Sequence, residues 1–272
     1  MKVKRIVFCL NNSPLYSGMW DIVSKVWTEK SDYIPTLIFV GTQEELDLEV
    51  KDSYGEVYLV EKHPEFIVRP ELDWTVMWSC YWFMANKFPD EVCMLSGIDE
   101  IPCNNLLENM TKDVPDDKYI FLLGQNPYNR TKRSGYLIAN GWSVAKGSTL
   151  KRILKIEDNL KDELKRIWES KDQFAAAIPD NHQTLKRHNW WGMDEAYISY
   201  AIQGHYDVLY LPKEDVDHHL FGRRICRSRN SEFDPKKLQD GYYWEAHIPR
   251  PLTNPENAKV VKEILVHLGI SL

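Results

Sequence analysis

Over the first 95 positions, apolar residues fall in short unbroken runs separated by polar turn formers. Lys4 to Leu10 (KRIVFCL) is such a run, closed by Asn11-Asn12-Ser13-Pro14, and predicts a buried strand. Pro35 to Gly41 (PTLIFVG), Glu56 to Val60 (EVYLV) and Glu91 to Leu95 (EVCML) repeat the pattern. Between them, Tyr16 to Thr28 places Trp20, Ile22, Val23, Val26 and Trp27 at helical spacing. Leu72 to Phe88 is apolar and aromatic enough for a buried helix. Strands that are apolar throughout suit a sheet covered on both faces, so a mixed or parallel sheet between helices is expected.

The second half is less regular. Lys118 to Gly124 and Gly135 to Lys146 predict strands, the latter holding an Asn140-Gly141 turn. Ser148 to Ile156, Asn159 to Ser170 and Met193 to Gln203 predict helices, and Tyr206 to Leu211 a last strand. A basic, irregular stretch then runs to Arg229, and Pro255 to Leu268 predicts a helix capped by Asn254. No repeat, low-complexity segment or linker interrupts the pattern, so one α/β domain over residues 1–272 is expected.

Composition narrows the classes. With 34 Lys and Arg against 40 Asp and Glu, the net charge of -6 argues against a broad nucleic-acid footprint, though not against one local basic pocket. No apolar run approaches the roughly 18 residues of a membrane span. Ile6 to Leu10 is too short for a signal-peptide core. The five cysteines are odd in number, scattered and without CxxC spacing, which fits reduced thiols and a cytoplasmic location. Aromatic residues reach 12%, and five of the ten tryptophans (Trp20, Trp27, Trp74, Trp78, Trp82) fall on predicted helices as core.

Three segments carry candidate chemistry. The first is Ser96-Gly97-Ile98-Asp99-Glu100-Ile101-Pro102, whose acids directly follow a buried strand. Open α/β sheets bind ligands there, and hard oxygen ligands suit Mg²⁺ or Mn²⁺ on phosphate oxygens. The same letters also fit a plain turn cap at Asp99 with Glu100 in solvent. The second, Trp190-Trp191-Gly192-Met193-Asp194-Glu195, leads an aromatic loop into a helix with two acids in its first turn; simple capping is the competing explanation. The third runs from Asp215-Val216-Asp217 through His218 and His219 to Arg223, Arg224, Arg227 and Arg229, four arginines in seven positions. Such a patch suits a diphosphate, and equally an exposed basic loop. Asp215 and Asp217 rival the first segment as a metal motif.

Together these segments resemble the GT-A superfamily of nucleotide-sugar-dependent glycosyltransferases. Ser96, Asp99, Ile101 and Pro102 match its DxD motif, with Gly97 where the first Asp belongs. The resemblance implies a single GT-A-like (Rossmann-like) α/β/α sandwich with a mixed central sheet. It implies a nucleotide-binding half over about 1–103, an acceptor-binding half over about 104–230, and a C-terminal helix. It further implies Mn²⁺ (or Mg²⁺) on Asp99, supported by Glu100 and completed by His219 or else His218. Asn11 and Asn12 take the nucleotide, Asn140, Gly141 and Trp142 line the donor sugar, and Arg223 and Arg224 face the diphosphate. Asp194, with Glu195 as second choice, acts on the acceptor, and Trp190 and Trp191 stack on sugar. The implied partners are a nucleotide diphosphate sugar and a glycan or glycoconjugate acceptor. The rival readings are a weak or inactive carbohydrate- or nucleotide-binding homologue and a metal-dependent nucleotidyltransferase. No P-loop or GxGxxG sequence supports the usual nucleotide binders.

Overall fold

The apolar run at Arg5–Asn11 forms the strand around which the protein is built, with neighbours on both sides and helices on both faces. The computed structural model describes residues 1–69, 72–122, 141–177, 193–202, 205–210, 224–226 and 233–271. In chain order its strands are β1 (Arg5–Asn11), β2 (Ile34–Val40), β3 (Glu56–Val60), β4 (Ile67–Arg69), β5 (Leu72–Asp73), β6 (Val92–Leu95), β7 (Glu100–Pro102), β8 (Tyr119–Phe121), β9 (Ser143–Lys146), β10 (Val208–Tyr210), β11 (Arg224–Ile225) and β12 (Glu245–His247). The helices are α1 (Met19–Lys30), α2 (Gln43–Glu49), α3 (Trp74–Asn86), α4 (Leu106–Thr111), α5 (Gly147–Leu154), α6 (Leu160–Ala177), α7 (Met193–Ala201), α8 (Pro235–Gln239) and α9 (Pro255–His267).

The main sheet has the order β10-β8-β9-β6-β1-β2-β3. Strand β1 pairs parallel to β2 and to β6, whereas β9 runs antiparallel to both β6 and β8. The sheet is therefore mixed, as expected. Side chains alternate strictly between two cores, following the two-residue period of a strand. Ile6, Phe8 and Leu10 join Trp20, Val23 and Trp27 of α1 and Ile264 and Leu265 of α9. Val7, with Ile38 and Val40, joins Trp78, Tyr81 and Met84 of α3 and Leu150, Leu164 and Ile198 of α5, α6 and α7. The result is a three-layer α/β/α sandwich.

The expected strands and helices of the first 95 residues all form, within three residues at each end. The additions there are the short strands β4 and β5 and helix α2 (QEELDLE), which buries none of its residues and so leaves no apolar stripe in the sequence. A capping box holds it instead: Thr42 accepts from Glu45 N and Glu45 accepts from Thr42 N. All five cysteines are free. No helix among the described residues is long and apolar enough to cross a membrane.

The amino end of the sheet is clamped by one buried cation. Arg5 donates from Nε to Glu91 (2.7 Å), and from one terminal nitrogen to Glu56 (2.7 Å) and Thr36 (2.9 Å). Its guanidinium also lies 4.2 Å from the Phe88 ring centre. This one side chain thus ties β1, β2, β3 and the approach to β6.

Burial works to raise the Glu91 and Glu56 carboxyls, but it is outweighed by Arg5 and Lys4 at Glu91 and by Tyr58 and Arg5 at Glu56, so both lie below the usual value of 4.5. Their stabilisation is fully present above that value and is lost as pH falls through the lower folded values. Glu91→Gln should therefore flatten the fall in melting temperature between roughly pH 5 and pH 3. Parallel acid limbs in the two proteins would contradict the clamp. Arg5→Ala, which strands a partly buried carboxylate, should lower stability by about 3 kcal/mol in a denaturant titration.

Candidate functional site

Beyond the carboxyl end of β6 the chain enters a second, smaller sheet of order β11-β12-β7. Strand β12 lies antiparallel to β7, with His247 opposite Glu100 and Ala246 opposite Ile101. It is parallel to β11, with Arg224 opposite Glu245 and Ile225 opposite Ala246. The two-residue period then sorts the side chains. Ile101, Ala246 and Ile225 face the α1–α9 core, all at most 2% exposed. Glu100, Glu245, His247 and Arg224 share the other face, so one apolar layer delivers four ionisable groups to one place.

Asp99 stands at the edge of this face, only 5% exposed. Its Oδ2 is 2.8 Å from His247 Nε2 and 3.4 Å from an Arg250 terminal nitrogen, and its carbonyl accepts from Ile248 N at 2.8 Å. One terminal nitrogen of Arg224 lies 2.8 Å from His247 Nδ1 and 2.8 Å from Glu100 Oε1. A guanidinium has donors only, so Nδ1 accepts and it is Nε2 that donates to Asp99. Arg224 also pairs through Nε with the fully buried Glu245. Burial, then the Glu100 charge, push the Glu245 carboxyl well above its ordinary value, against the pull of Arg224. For Arg224 itself burial works against the charge, yet Glu245 and Glu100 raise its pKa. Arg250 has no such surplus, and burial pushes its guanidinium down to about 10. Its guanidinium lies 4.3 Å from the ring centre of Tyr16, linking the site to the loop after β1.

Several residues expected from the sequence meet here. Asp99, Glu100 and Arg224 do, and Gly141 joins them. A Cβ on Gly141 would lie 3.2 Å from both carboxylate oxygens of Glu100. Asn11 and Asn12 sit at the carboxyl end of β1. There Asn11 Oδ1 accepts from Ser13 N (3.1 Å), and Asn12 donates to Glu45 (2.7 Å), which also takes Lys62 (2.6 Å). Trp142 goes elsewhere. Its backbone is left-handed (φ 58), and its ring is 1% exposed, 4.7 Å from Trp244 and 5.8 Å from Trp27. Ring burial on this scale removes it from any sugar face in this arrangement. Asp194 and Glu195 fall in the first turn of α7, where the backbone alone is described. Asn140, Trp190, Trp191, His218, His219, Arg223 and the rival Asp215 and Asp217 lie outside the described residues.

His247, Arg250 and Glu245 had not been expected. The only trace in the sequence is the polar–apolar alternation Glu245-Ala246-His247-Ile248, too short to stand out. Among the described residues no group of three or more His, Cys, Asp or Glu side chains is arranged to hold a metal ion.

No protein-family model matches the sequence, and comparison with curated proteins finds no match. Solved structures do match. An active-site mutant of LgtC is similar at a TM-score of 0.54 and 11% identity, over 97% of this chain and 95% of that one. The galactosyltransferase LgtC in complex with donor and acceptor sugar analogs gives 0.53 and 10%, with the same coverage. The glycosyltransferase GlyE of Streptococcus pneumoniae TIGR4 gives 0.50 and 8% over 98% of this chain, which spans 63% of that chain's length and 45% of its apo form. At such identities the likeness is one of fold, and the protein has the GT-A fold.

The placement of Trp142 is open to direct test. Trp142→Ala should lower stability by about 3–5 kcal/mol, as for other fully buried aromatic rings. Normal melting combined with weakened binding of a nucleotide sugar would instead put the ring on the ligand.

Proposed function

We propose that the protein transfers a sugar from a nucleotide diphosphate sugar to a hydroxyl of a glycan acceptor. The observation that carries this reading is the meeting of Asp99 and His247, 148 residues apart in sequence, beyond the carboxyl end of β6 in a GT-A fold. Ligands of open α/β sheets bind at that edge, where the sheet order turns back on either side of β1. LgtC, which shares the fold, has been solved with donor and acceptor sugar analogs.

The donors present fit Mn²⁺ or Mg²⁺. A carboxylate oxygen of Asp99 and a ring nitrogen of His247 would hold the ion. Phosphate oxygens and water complete such shells, which seldom use a full protein cage. Bound there, the ion would supply positive charge against the departing nucleoside diphosphate. Ligation by Nε2 requires that nitrogen to give up the proton it now donates to Asp99, and hence requires Arg224 to turn from Nδ1.

The remaining roles belong to the chain. Arg250, its side chain 11% exposed and its charge penalised by burial, would gain from pairing with a diphosphate oxygen. Arg224 adds positive charge beside it, and Arg223, its neighbour in sequence, is assigned to the diphosphate as well. Asn11 and Asn12, with Glu45 and Lys62 beside them, offer donors and acceptors to the nucleotide. Asp194, or Glu195 in its stead, takes the acceptor proton if the anomeric configuration inverts. If configuration is retained, the same carboxylate stabilises positive charge on the sugar.

Incubation with Mn²⁺ and a panel of nucleotide sugars should release a nucleoside diphosphate. Asp99→Ala and His247→Ala should each reduce that release by ~100-fold or more, the scale of a lost charge contact at a leaving group. Release of a sugar 1-phosphate, the group left behind when the nucleotidyl group moves, would favour nucleotidyl transfer, and no release from any donor, with or without acceptors, would favour a binding protein. Asp194→Asn should lower kcat by about 100-fold or more while leaving donor affinity within about threefold. A comparable loss in Glu195→Gln alone would exchange the two assignments.

A further inference from the structure

The missing first acid at position 97 has a physical counterpart three residues later. Glu100 folds back over the turn that Gly97 opens: Glu100 N donates to Gly97 O (3.0 Å), and Gly97 N donates to Glu100 Oε2 (2.9 Å). The Ser96 hydroxyl lies 3.4 Å from the same oxygen, and Arg224 donates to the other at 2.8 Å. The carboxylate is thereby fixed on both sides. A Cβ on Gly97 would sit 3.1 Å from Glu100 Cδ, 3.2 Å from its Oε2 and 3.1 Å from Asp99 Oδ1. On the opposite flank, a Cβ on Gly141 would sit 3.2 Å from Glu100 Oε1 and Oε2. Such separations are shorter than ordinary van der Waals contact. Of the two glycines, Gly97 does not have a positive φ, so backbone conformation does not explain it. What they share is Glu100.

We propose that Glu100 supplies from position 100 the carboxylate that position 97 lacks, and that Gly97 and Gly141 are glycine to give it room. Glu100 acts as a positioning residue. With Glu245 it holds Arg224, whose guanidinium also feels the Asp99 charge. Arg224 so held leaves Asp99 to His247 and to whatever binds there. Neutralising Glu100 frees Arg224 to settle on Asp99 and compete with a divalent cation. An acid at 97 cannot simply be added, because it would meet two carboxylates in a space already filled. It can be exchanged.

This inference rests on the metal-binding part of the proposed function, but its test needs no nucleotide or acceptor. The natural chain, Gly97→Asp, Glu100→Ser and the double variant Gly97→Asp/Glu100→Ser are compared by melting temperature and by Mn²⁺ affinity from the free-ion resonance signal. Gly97→Asp should lower the melting temperature by roughly 3–8 °C, through overpacking and like charge. Glu100→Ser and Gly97→Asp should each weaken Mn²⁺ binding by about tenfold or more. The double variant should melt above Gly97→Asp and bind Mn²⁺ within about threefold of the natural chain.

Additive losses in the double variant would overturn the proposal. So would a Gly97→Asp protein that melts normally and binds Mn²⁺ more tightly, since position 97 would then be an empty ligand position. If the natural chain takes up no Mn²⁺, the metal-binding reading and the inference that rests on it both fail; Mn²⁺ uptake with additive melting losses refutes the exchange alone. Coupling without any turnover of nucleotide sugars would keep this inference and refute the proposed reaction.

Discussion

The site depends on the short ladder of β7, β12 and β11, three stretches of two or three residues, of which β7 and β12 pair across more than a hundred positions of sequence. Nothing local would hold such stretches extended. What holds them is the burial of Ile101, Ala246 and Ile225 beneath the ladder, where each isoleucine contributes on the order of 2 kcal/mol by leaving water. Backbone pairing then fixes register, and register decides which face each charge occupies. A slip of one residue would turn Glu245 and His247 into the core and Ala246 out of it. The apolar layer is thus the reason the polar one exists.

That polar layer carries its own penalty, since Asp99, Glu100 and Glu245 are each at most 6% exposed. Burying three carboxyls together is unfavourable unless charge is matched or protons are retained. Both occur. Arg224 spans Glu100 and Glu245, Arg250 approaches Asp99, and the Glu245 carboxyl is pushed well up, most of all by burial. Glu245 therefore contributes as the deep anchor of Arg224 more than as a ligand. His247 and Arg224 lie nearest the surface of the cluster, with side chains 16% and 13% exposed, whereas Asp99 and Glu100 are 7% and 8% exposed and Glu245 is fully buried. The gradient from anchored interior to approachable edge gives the cluster a direction.

How much of this was legible in the sequence follows from element length and from where each element spends its apolar face. Strands β1, β2, β3 and β6 are four to seven residues long and mostly apolar, so their runs stand out. Helix α9 is announced by Asn254, whose side chain accepts from Glu256 N at 3.0 Å, and by Pro255 in its first turn. Asp99 and Glu100 were legible because they follow a strong strand. His247 was not, since β12 holds three residues and periodicity needs more. The search for a histidine accordingly settled on His218 and His219, beside the arginines. Trp142 shows the opposite failure: the resemblance put it on the donor sugar, but its left-handed backbone after Gly141 accompanies a ring turned inward to Trp27 and Trp244.

Gly97 brings these strands of reasoning together. Taken by letter, glycine in place of an acid is a loss, and a protein carrying it looks defective. In three dimensions the turn from Gly97 to Glu100 returns a carboxylate to the same neighbourhood, clasped by the Gly97 amide and by Arg224. Motif letters record which residue sits at a position, whereas a ligand meets only where the oxygen is. A turn of four residues closed by its own hydrogen bond can move an oxygen from one position to the other with little change in place. The physically relevant count for this site is therefore two carboxylates, Asp99 and Glu100, set beside one imidazole and two guanidinium groups.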